Sequence, residues 1–361
     1  MAALLIALLC LFLAQRIALA LACLLPPPAR PAADELPGVQ VLVAARDEQR
    51  RLPRLLAALE RLDYEPAKLA FVLVSDGSRD GTAELMEEWC AGRPRALTVR
   101  LRETAGKSAA LQIAWMRAPG EEITVVYDAD VQPAPGSLRA LAGEFADPRI
   151  GAAGGPVWPS NPECSMVSRY AALELWSFHG VGQRGRHRLG LQPFAIGANC
   201  AFRSAALAAI GGFPRSAVSE DVETSFAVIR QGWRTSFRPE AVVVTEVPVT
   251  LRQFWRQRQR WTRGLHLAAR GAPGLAGLLV VAGYTDRLVL LALAVAACLG
   301  AVSWWWPALY FAGPAATVGI TLAQNHPGRR LAFLLRCLPM FAADLAVTVW
   351  ATLLTPIHRT P

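Results

Sequence analysis

The chain has 361 residues, 53% of them hydrophobic, and a formal net charge of +9, which gives enough apolar material for a large soluble core and for membrane segments. The positive charge is compatible with nucleic acid, anionic lipid headgroups or a phosphate-rich small substrate, and it does not distinguish them. The seven cysteines form no CxxC pair and the five histidines no HExxH pattern, which argues against a disulfide framework, a zinc site and a histidine-ligated metal.

The N-terminal segment, residues 2–28, is apolar and interrupted only by Gln15 and Arg16. A cleaved signal peptide is one interpretation, because residues 20–22 read Ala-Leu-Ala. However, no positive charge precedes the apolar run, and the run continues past those residues. We therefore favour a retained transmembrane helix, followed by the linker "PPPARPAADELPG".

Residues 39–238 alternate between short β-branched runs and amphipathic helical patterns. The first pairs are "VQVLVAA" with "LPRLLAALERL", and "LAFVLVSDG" with "GTAELMEEWCAG". This alternation implies crossover connections, and it predicts an α/β domain with a largely parallel sheet. Ligands of such sheets bind at the carboxyl ends of the strands.

Three aspartates fall at predicted strand ends. Asp76 ends a strand in "VLVSDGSRDGT", where the following glycine permits a sharp turn beside a ligand. Asp128 and Asp130 end another in "VVYDADV", and alternation along a strand would point both the same way. Such a pair can hold a hard divalent cation when diphosphate oxygens supply the other ligands, although it is also common in solvated loops.

Two more charged residues begin predicted helices. Lys107 lies in "TAGKSAAL", where free backbone N–H groups and a cation suit phosphate oxygens. Asp221 lies in "AVSEDVETSFAVIRQGWR", and its simplest interpretation is an acid favoured by the helix dipole. Together with the other acids it is also a candidate general base, because an attacking sugar hydroxyl must lose its proton to a carboxylate.

The stretch "WRQRQRWTRG" predicts a basic, aromatic helix before the C-terminal apolar segments. If residues 251–263 are helical, Gln257, Arg260 and Trp261 share one face, which combines an amide, a guanidinium and an indole. An interfacial helix that contacts lipid phosphates is the alternative, and both roles are compatible because a helix has several faces.

The C-terminal region predicts three further spans, within residues 288–307, 308–324 and 331–354. The stretch before them, residues 274–287 with Asp286 and Arg287, is compatible with a position on the membrane or in it. Arg329 and Arg330 favour a cytoplasmic connection between the last two, so residues 34–273 would be cytoplasmic. We divide the chain into an N-terminal transmembrane helix (1–28), a catalytic domain (34–250), an interfacial helix (251–273) and a C-terminal membrane region (274–361).

Seven short motifs occur in the order of a known family. The chain resembles the membrane-integrated family 2 glycosyltransferases, the group that includes cellulose, hyaluronan and poly-N-acetylglucosamine synthases. The motifs are "VLVAARDEQRRLPRLL", "VSDGSRDGT", "GKSAAL", "DAD", "GANCAFRSAAL", "SED" and "QRQRW". The resemblance implies a GT-A fold and inverting transfer from a nucleotide sugar, with UDP as the preferred nucleotide.

The resemblance also implies how the donor is held. Asp76 would meet the base or ribose of the nucleotide with Glu48 nearby, and Lys107 would lie near the diphosphate. Asp130, with help from Asp128, would hold a Mg or Mn ion.

In the remaining motifs, Asp221 matches the family's catalytic base. Gln257 and Arg260 match its diphosphate-holding residues, and Trp261 matches the residue that stacks on the acceptor. Asn199 and Cys200 stand where the family has an acceptor loop, so they are candidate acceptor-binding residues.

The chain departs from the family pattern in three motifs. It has Asp47 where the family usually has Asn, "SED" where "TED" or "GDD" is usual, and "GANCAFR" in place of a glycine-rich acceptor loop. These departures leave the acceptor open between a growing polysaccharide and a membrane lipid.

The leading hypothesis is a multi-pass glycosyltransferase of the cell (inner) membrane, with or without an accessory subunit. A non-catalytic membrane scaffold or export subunit is the alternative. Nucleic-acid binding is not expected, because the basic helix directly precedes membrane segments and no nucleic-acid motif is present.

Overall fold

The computed structural model describes residues 1–28, 35–195, 197–214, 219–270, 274–325 and 330–353, without the side chains of residues 265–285, 330 and 353. The chain forms two compact units, which we call the sheet unit and the helical unit. The sheet unit comprises residues 28–160 and 192–246, and the helical unit comprises residues 1–27, 161–191 and 247–361.

The helices and strands follow one another in this order: α1 (Ala2–Ala22), β1 (Val39–Ala45), α2 (Leu52–Leu59), β2 (Leu69–Asp76), α3 (Thr82–Cys90), β3 (Ala96–Leu101), α4 (Lys107–Arg117), β4 (Ile123–Asp128), β5 (Val131–Pro133), α5 (Ser137–Ala142), β6 (Ile150–Gly154), β7 (Val157–Pro159), α6 (Met166–Trp176), α7 (Arg184–Arg188), β8 (Asn199–Arg203), α8 (Ser204–Ala209), α9 (Glu220–Arg230), β9 (Arg234–Phe237), β10 (Val243–Thr245), α10 (Leu251–Arg270), α11 (Gly274–Cys298), α12 (Trp305–Leu309), α13 (Ala312–Asn325), α14 (Arg330–Cys337) and α15 (Pro339–Leu353).

The sheet unit is built on a seven-stranded sheet with the strand order β3, β2, β1, β4, β8, β6, β9. The first four of these strands run parallel to one another, and β6 runs parallel to β9. Strand β8 is antiparallel to both of its neighbours, β4 and β6. A smaller sheet contains β5, β10 and β7. These findings confirm the predicted α/β fold with a largely parallel sheet.

Both faces of the large sheet are covered by helices. On β1, Val41 and Val43 belong to one apolar layer together with Leu52 of α2. Leu42, between them, belongs to the opposite layer together with Leu111 of α4. This alternation follows from the strand geometry, and burial on both faces explains why the strand is apolar at nearly every position.

The helical unit begins with α1. It has 21 residues, and among the residues that the structure describes it is the one helix that is by itself long and apolar enough to cross a membrane. Helices α14 and α15, which meet at a bend of 44°, are a second candidate if they form a single span. The apolar N-terminal helix is therefore confirmed as a helix, and it ends at Ala22 rather than at residue 28.

The first C-terminal apolar helix does not have the predicted limits. We expected a span within residues 288–307, whereas α11 runs from Gly274 to Cys298 and ends before Gly300, which has a φ of +73°. The sequence left the stretch before it, residues 274–287 with Asp286 and Arg287, open between a position on the membrane and one in it. In the structure both charges are paired, since Asp286 forms an ion pair with Arg16 and Arg287 forms one with Asp344.

Candidate active site

The candidate site lies in the sheet unit, at the carboxyl ends of the parallel strands β1, β2 and β4. Glu48 follows β1, Asp76 ends β2, and Asp128 ends β4. Because parallel strands present their carboxyl ends at the same edge, the fold brings residues from distant parts of the sequence to one place. The beginnings of α4 and α9 add Lys107 and Asp221 to this group.

Asp76 is buried, with 4% of its surface exposed, and both of its carboxylate oxygens accept hydrogen bonds from other residues of the chain. Oδ1 accepts a hydrogen bond from the backbone of Ala105 at 2.6 Å. Oδ2 accepts bonds from the backbone of Gly106 at 3.0 Å and from the hydroxyl of Thr104 at 3.0 Å. Asp76 therefore holds the loop that leads into α4, and its contact with the nucleotide stays a prediction.

The first motif forms a tight turn after β1. Asp47 adopts a φ of +53°, a conformation that Asn and Asp reach more readily than other side chains. Its Oδ1 accepts a hydrogen bond from the backbone of Arg79 at 2.8 Å, which joins this turn to the turn after β2. The geometry explains why Asp can stand where the family usually has Asn.

Lys107 is the cationic centre of the site. Its Nζ lies 2.7 Å from Oδ1 of Asp128 and 2.5 Å from Oε1 of Glu220. Burial alone would lower the pKa of the ammonium, but the carboxylates of Asp128, Glu220 and Asp221 hold that pKa well above its usual value. Lys107 is thus a fixed positive charge that joins the end of β4 to the start of α9.

The two aspartates predicted to hold a metal ion lie in different elements, Asp128 in a strand and Asp130 in a turn. Asp128 is the last residue of β4, and Asp130 lies in the turn between β4 and β5. Burial, followed by the negative charges of Asp128 and Glu48, raises the pKa of Asp130 to about 6. The ionised form of Asp130 therefore lacks sufficient positive charge nearby, which is the situation that a bound divalent cation relieves.

The number of carboxylates at this place indicates how such a cation would be bound. Among the residues with a described placement, no three acidic, histidine or cysteine side chains converge to form a metal site. Two carboxylate groups at a strand end nevertheless fit Mg²⁺ or Mn²⁺, since Mg²⁺ usually binds one or two carboxylates and completes its shell with phosphates and water. Asp130 and Asp128 thus fit a cation that arrives with a diphosphate.

Asp221 is held in place at the start of α9 by backbone groups. Its Oδ2 accepts a hydrogen bond from the backbone N–H of Gly197 at 2.9 Å, and its Oδ1 accepts one from Val222 at 2.8 Å. Burial, together with the charge of Glu220, raises the pKa of Asp221 to about 6, although Lys107 and these hydrogen bonds act in the opposite direction. A carboxyl group of this pKa is ionised at neutral pH and can accept a proton.

Gly197 has little space for a side chain. A Cβ atom there would lie 3.2 Å from Oε1 of Glu220, 3.2 Å from Nζ of Lys107 and 3.3 Å from Cβ of Asp221. Sequence reasoning gave no individual role to Gly197, and it interpreted Glu220 only as an acid favoured by the helix dipole. The signal for Glu220 was an acid directly before Asp221, but only the fold shows that it pairs with a lysine more than one hundred positions earlier.

Asn199 and Cys200 lie on β8, in the middle of the large sheet. Their exposed fractions are 0% and 1%. The side-chain amide of Asn199 donates hydrogen bonds to the carbonyl oxygens of Ala241 at 2.6 Å and Pro156 at 3.3 Å. The segment expected to be an acceptor loop is therefore a buried strand here. Acceptor binding by these two residues stays a prediction, and it would require this strand to move.

The remaining predicted residues lie on α10, in the helical unit, which confirms that residues 251–263 are helical. Arg260 is exposed, while Gln257 and Trp261 are half-buried. The guanidinium of Arg258, which sequence reasoning did not single out, lies over the ring of Trp261 at 5.2 Å from its centroid.

Comparison with known proteins gives three kinds of match. Residues 37–264 match the family described as glycosyltransferase like family 2. An N-acetylglucosaminyltransferase of Rhizobium sp. (strain N33) is 31% identical over 297 residues, covering 76% of this chain and 65% of that protein. A poly-beta-1,6-N-acetyl-D-glucosamine synthase of Staphylococcus aureus (strain COL) is 29% identical over 236 residues, covering 64% of this chain and 56% of that protein.

One solved structure is similar over nearly the whole length. A mannosyltransferase from Pyrobaculum calidifontis, in complex with GDP-Man and Mn²⁺, has a TM-score of 0.64 and 25% sequence identity, and the match covers 97% of this chain and 99% of that one. In contrast, the chain spans less than two thirds of the length of the two relatives above. The family match over residues 37–264 includes the predicted base Asp221 and the first part of α10, with Gln257, Arg260 and Trp261.

Proposed function

The chain belongs to the glycosyltransferase like family 2, and from this premise we propose that it is a membrane-bound inverting glycosyltransferase. It transfers a sugar from a nucleotide-sugar donor to a growing polysaccharide or a membrane lipid. The observation that carries the proposal is the position of Asp221, held by the Gly197 N–H beside the cluster of Lys107, Asp128 and Glu220.

In this proposal Asp221 acts as the general base. The acceptor hydroxyl gives its proton to the Asp221 carboxylate while its oxygen attacks the anomeric carbon of the donor sugar. The bond from that carbon to the diphosphate breaks, and the nucleoside diphosphate leaves. A single displacement of this kind inverts the configuration at the anomeric carbon. The pKa of about 6 supports the role, since the base is ionised at neutral pH and still attracts a proton.

Positive charge near the diphosphate assists the departure of the leaving group. Lys107 supplies a fixed ammonium in the sheet unit, and we assign Gln257 and Arg260 of α10 the same role because an amide and a guanidinium suit phosphate oxygens. A Mg²⁺ or Mn²⁺ ion held by Asp130 and Asp128 would neutralise the charge that develops on the diphosphate. The Mn²⁺ in the Pyrobaculum mannosyltransferase supports a divalent cation.

We propose a UDP-sugar as the donor, with UDP-N-acetylglucosamine as the first to test. The names of the Rhizobium and Staphylococcus relatives support N-acetylglucosamine as the transferred sugar. The GDP-Man of the Pyrobaculum structure makes GDP-mannose the second donor to test. We further propose a multi-pass protein of the cell (inner) membrane with a cytoplasmic sheet unit, supported by α1 and by the apolar helices α11 and α15.

The first experiment measures nucleotide release by the detergent-purified protein and by membranes that contain it. Donors are UDP-, GDP- and TDP-sugars, each with Mn²⁺, with Mg²⁺ and with a chelator. We expect release from one donor that requires a divalent cation. Asp221→Asn should abolish transfer but keep nucleotide-sugar binding, because it deletes the base and not the groups that hold the diphosphate.

The matched control is Glu223→Gln, which removes a carboxylate two positions further along α9. Two residues advance a helix by about 200°, so this side chain faces away from Asp221. Full activity of Asp221→Asn would contradict its role as base. Inactivity of the wild-type protein with every donor, including in native membranes, would favour a non-catalytic scaffold.

The size of the product distinguishes the two proposed acceptors. A ladder of lengths means extension of a polysaccharide, and a single lipid-soluble product means one transfer to a lipid.

A further inference from the structure

The helical unit contains a cluster of six charged side chains. Two of its carboxylates, Asp286 and Asp344, are exposed by only 1% and 0%, and Arg258 is exposed by 5%. The cluster contains three arginines and three carboxylates, so its formal charges sum to zero. Its members are Arg16 of α1, Glu174 of α6, Arg258 of α10, Asp286 and Arg287 of α11, and Asp344 of α15.

Arg258 connects this cluster to α10. Its guanidinium forms an ion pair with Glu174, and its Nε lies 3.7 Å from Oδ1 of Asp344. Asp344 is itself fixed, because Arg287 lies 2.5 Å from its Oδ2 and the hydroxyl of Tyr170 donates a hydrogen bond to the same oxygen at 2.8 Å. Charges inside apolar helices are costly unless they are paired, so these contacts strongly restrict where Arg258 can lie.

The same guanidinium also lies against aromatic rings. Its Cζ is 5.0 Å from the ring centroid of Phe254 and 5.2 Å from that of Trp261, which is within the range of cation–π attraction. Phe254 is fully buried, whereas Trp261 is half-buried. Arg258 is therefore held by carboxylates and at the same time lies over the Trp261 ring.

We propose that Arg258 is a positioning residue that orients Trp261 as the platform for the acceptor. This inference rests on the proposed function and on the match of Trp261 to the family residue that stacks on the acceptor. Arginine is required because one planar guanidinium can meet two carboxylates and stack on rings at once. A lysine keeps the charge but has neither the plane nor the fork, so it leaves the cluster neutral while freeing the indole.

The test is a double-mutant cycle on kcat/KM for the donor, measured as nucleotide release in membranes that contain the full chain. The variants are Arg258→Lys, Trp261→Ala and their combination. The matched control is Arg252→Lys, an exposed arginine on the same helix. We expect Arg258→Lys to lower kcat/KM on the order of 100-fold, because misplacing a reacting group by about 1 Å has an effect of that size. The control should match the wild type.

If Arg258 acts through Trp261, the combined variant is no slower than Trp261→Ala alone. Effects that multiply, or an Arg258→Lys variant as active as the control, would overturn the inference and leave the proposed function intact. A fully active Trp261→Ala variant would also overturn the inference, because there would be no platform to orient, while its nucleotide release would support the proposed function. If Arg258→Lys does not accumulate in membranes, Glu174→Gln gives the same test, since it loosens Arg258 from the other side and should also be non-additive with Trp261→Ala.

Discussion

The pH dependence of transfer tests the assignment of Asp221 most directly. Burial and the neighbouring charge of Glu220 raise the pKa of Asp221 to about 6. Only the ionised carboxylate can accept the hydroxyl proton, so kcat/KM should be constant above this pKa and fall below it. With a pKa of about 6, roughly nine tenths of the enzyme is ionised at pH 7 and roughly one tenth at pH 5, which predicts about a tenfold loss of kcat/KM.

Changing Glu220 should move this inflection in a direction that the structure fixes. The negative charge of Glu220 raises the pKa of Asp221, while the ammonium of Lys107 lowers it. Glu220→Gln removes the first effect and also leaves Lys107 with one carboxylate fewer to neutralise it. Both changes favour the ionised form of Asp221, so the acidic limb of the profile should shift below pH 6.

The assay measures initial rates of nucleotide release from pH 4.5 to 8.5 in buffers of constant ionic strength. Wild type and Glu220→Gln are compared, and Glu223→Gln serves as the control that leaves the inflection in place. A profile without an inflection between pH 5 and 7, or a shift of Glu220→Gln towards higher pH, would refute the assignment of Asp221 as the base.

Three further outcomes are expected. The raised pKa means that ionised Asp221 costs the fold about 3 kcal/mol at pH 7, and this cost declines as pH falls from about 6 to the unfolded pKa of about 4. Asp221→Asn should therefore melt at a higher temperature than wild type in detergent at pH 7. A lower melting temperature would contradict this balance. Asp130→Ala should weaken both donor binding and the response to Mn²⁺, measured by calorimetry with UDP, and a chelator-insensitive wild type would contradict the metal role. Gly197→Ala should lower kcat by about tenfold or more, because its Cβ would crowd Glu220 and Lys107, whereas Gly143→Ala, whose Cβ meets no atom within 4 Å, should not. Equal activities would show that the base tolerates this displacement.

The sheet and its catalytic edge could be predicted from the sequence, because both depend on local patterns. The run "VQVLVAA" coincides with β1 over Val39–Ala45, and Asp128 indeed ends β4. Parallel pairing follows from crossover connections, and the position of Asp76 and Asp128 follows from the strand ends, whereas the place of the antiparallel strand β8 was not predicted. Local patterns are sufficient for Asp76 and Asp128, since each is the last residue of a largely buried strand.

Contacts between residues far apart in the sequence could not be predicted from local sequence patterns. The sequence marks Lys107 as a helix start suited to phosphate, but nothing near it indicates that Glu220 and Asp128 meet its ammonium. Asp76 is similar, because its strand-end position indicates a ligand contact while its three hydrogen bonds bind the loop before α4. In both cases residue type and position give the location of the site, and only the tertiary fold gives the partners.

The same limit explains the misplaced start of α11. A hydropathy pattern treats every charge as unpaired, and on that basis Asp286 and Arg287 interrupt an apolar segment. Paired with Arg16 and Asp344, each charge has a partner of opposite sign, so the helix continues through both. Because the arginines and carboxylates of the cluster are equal in number, removing any one leaves the cluster with one uncompensated charge, which is typically far more destabilising than losing a surface pair. Asp286 and Arg287 thus belong to the same charged cluster as Arg258, which joins α10 to α6 through Glu174 and to α15 through Asp344.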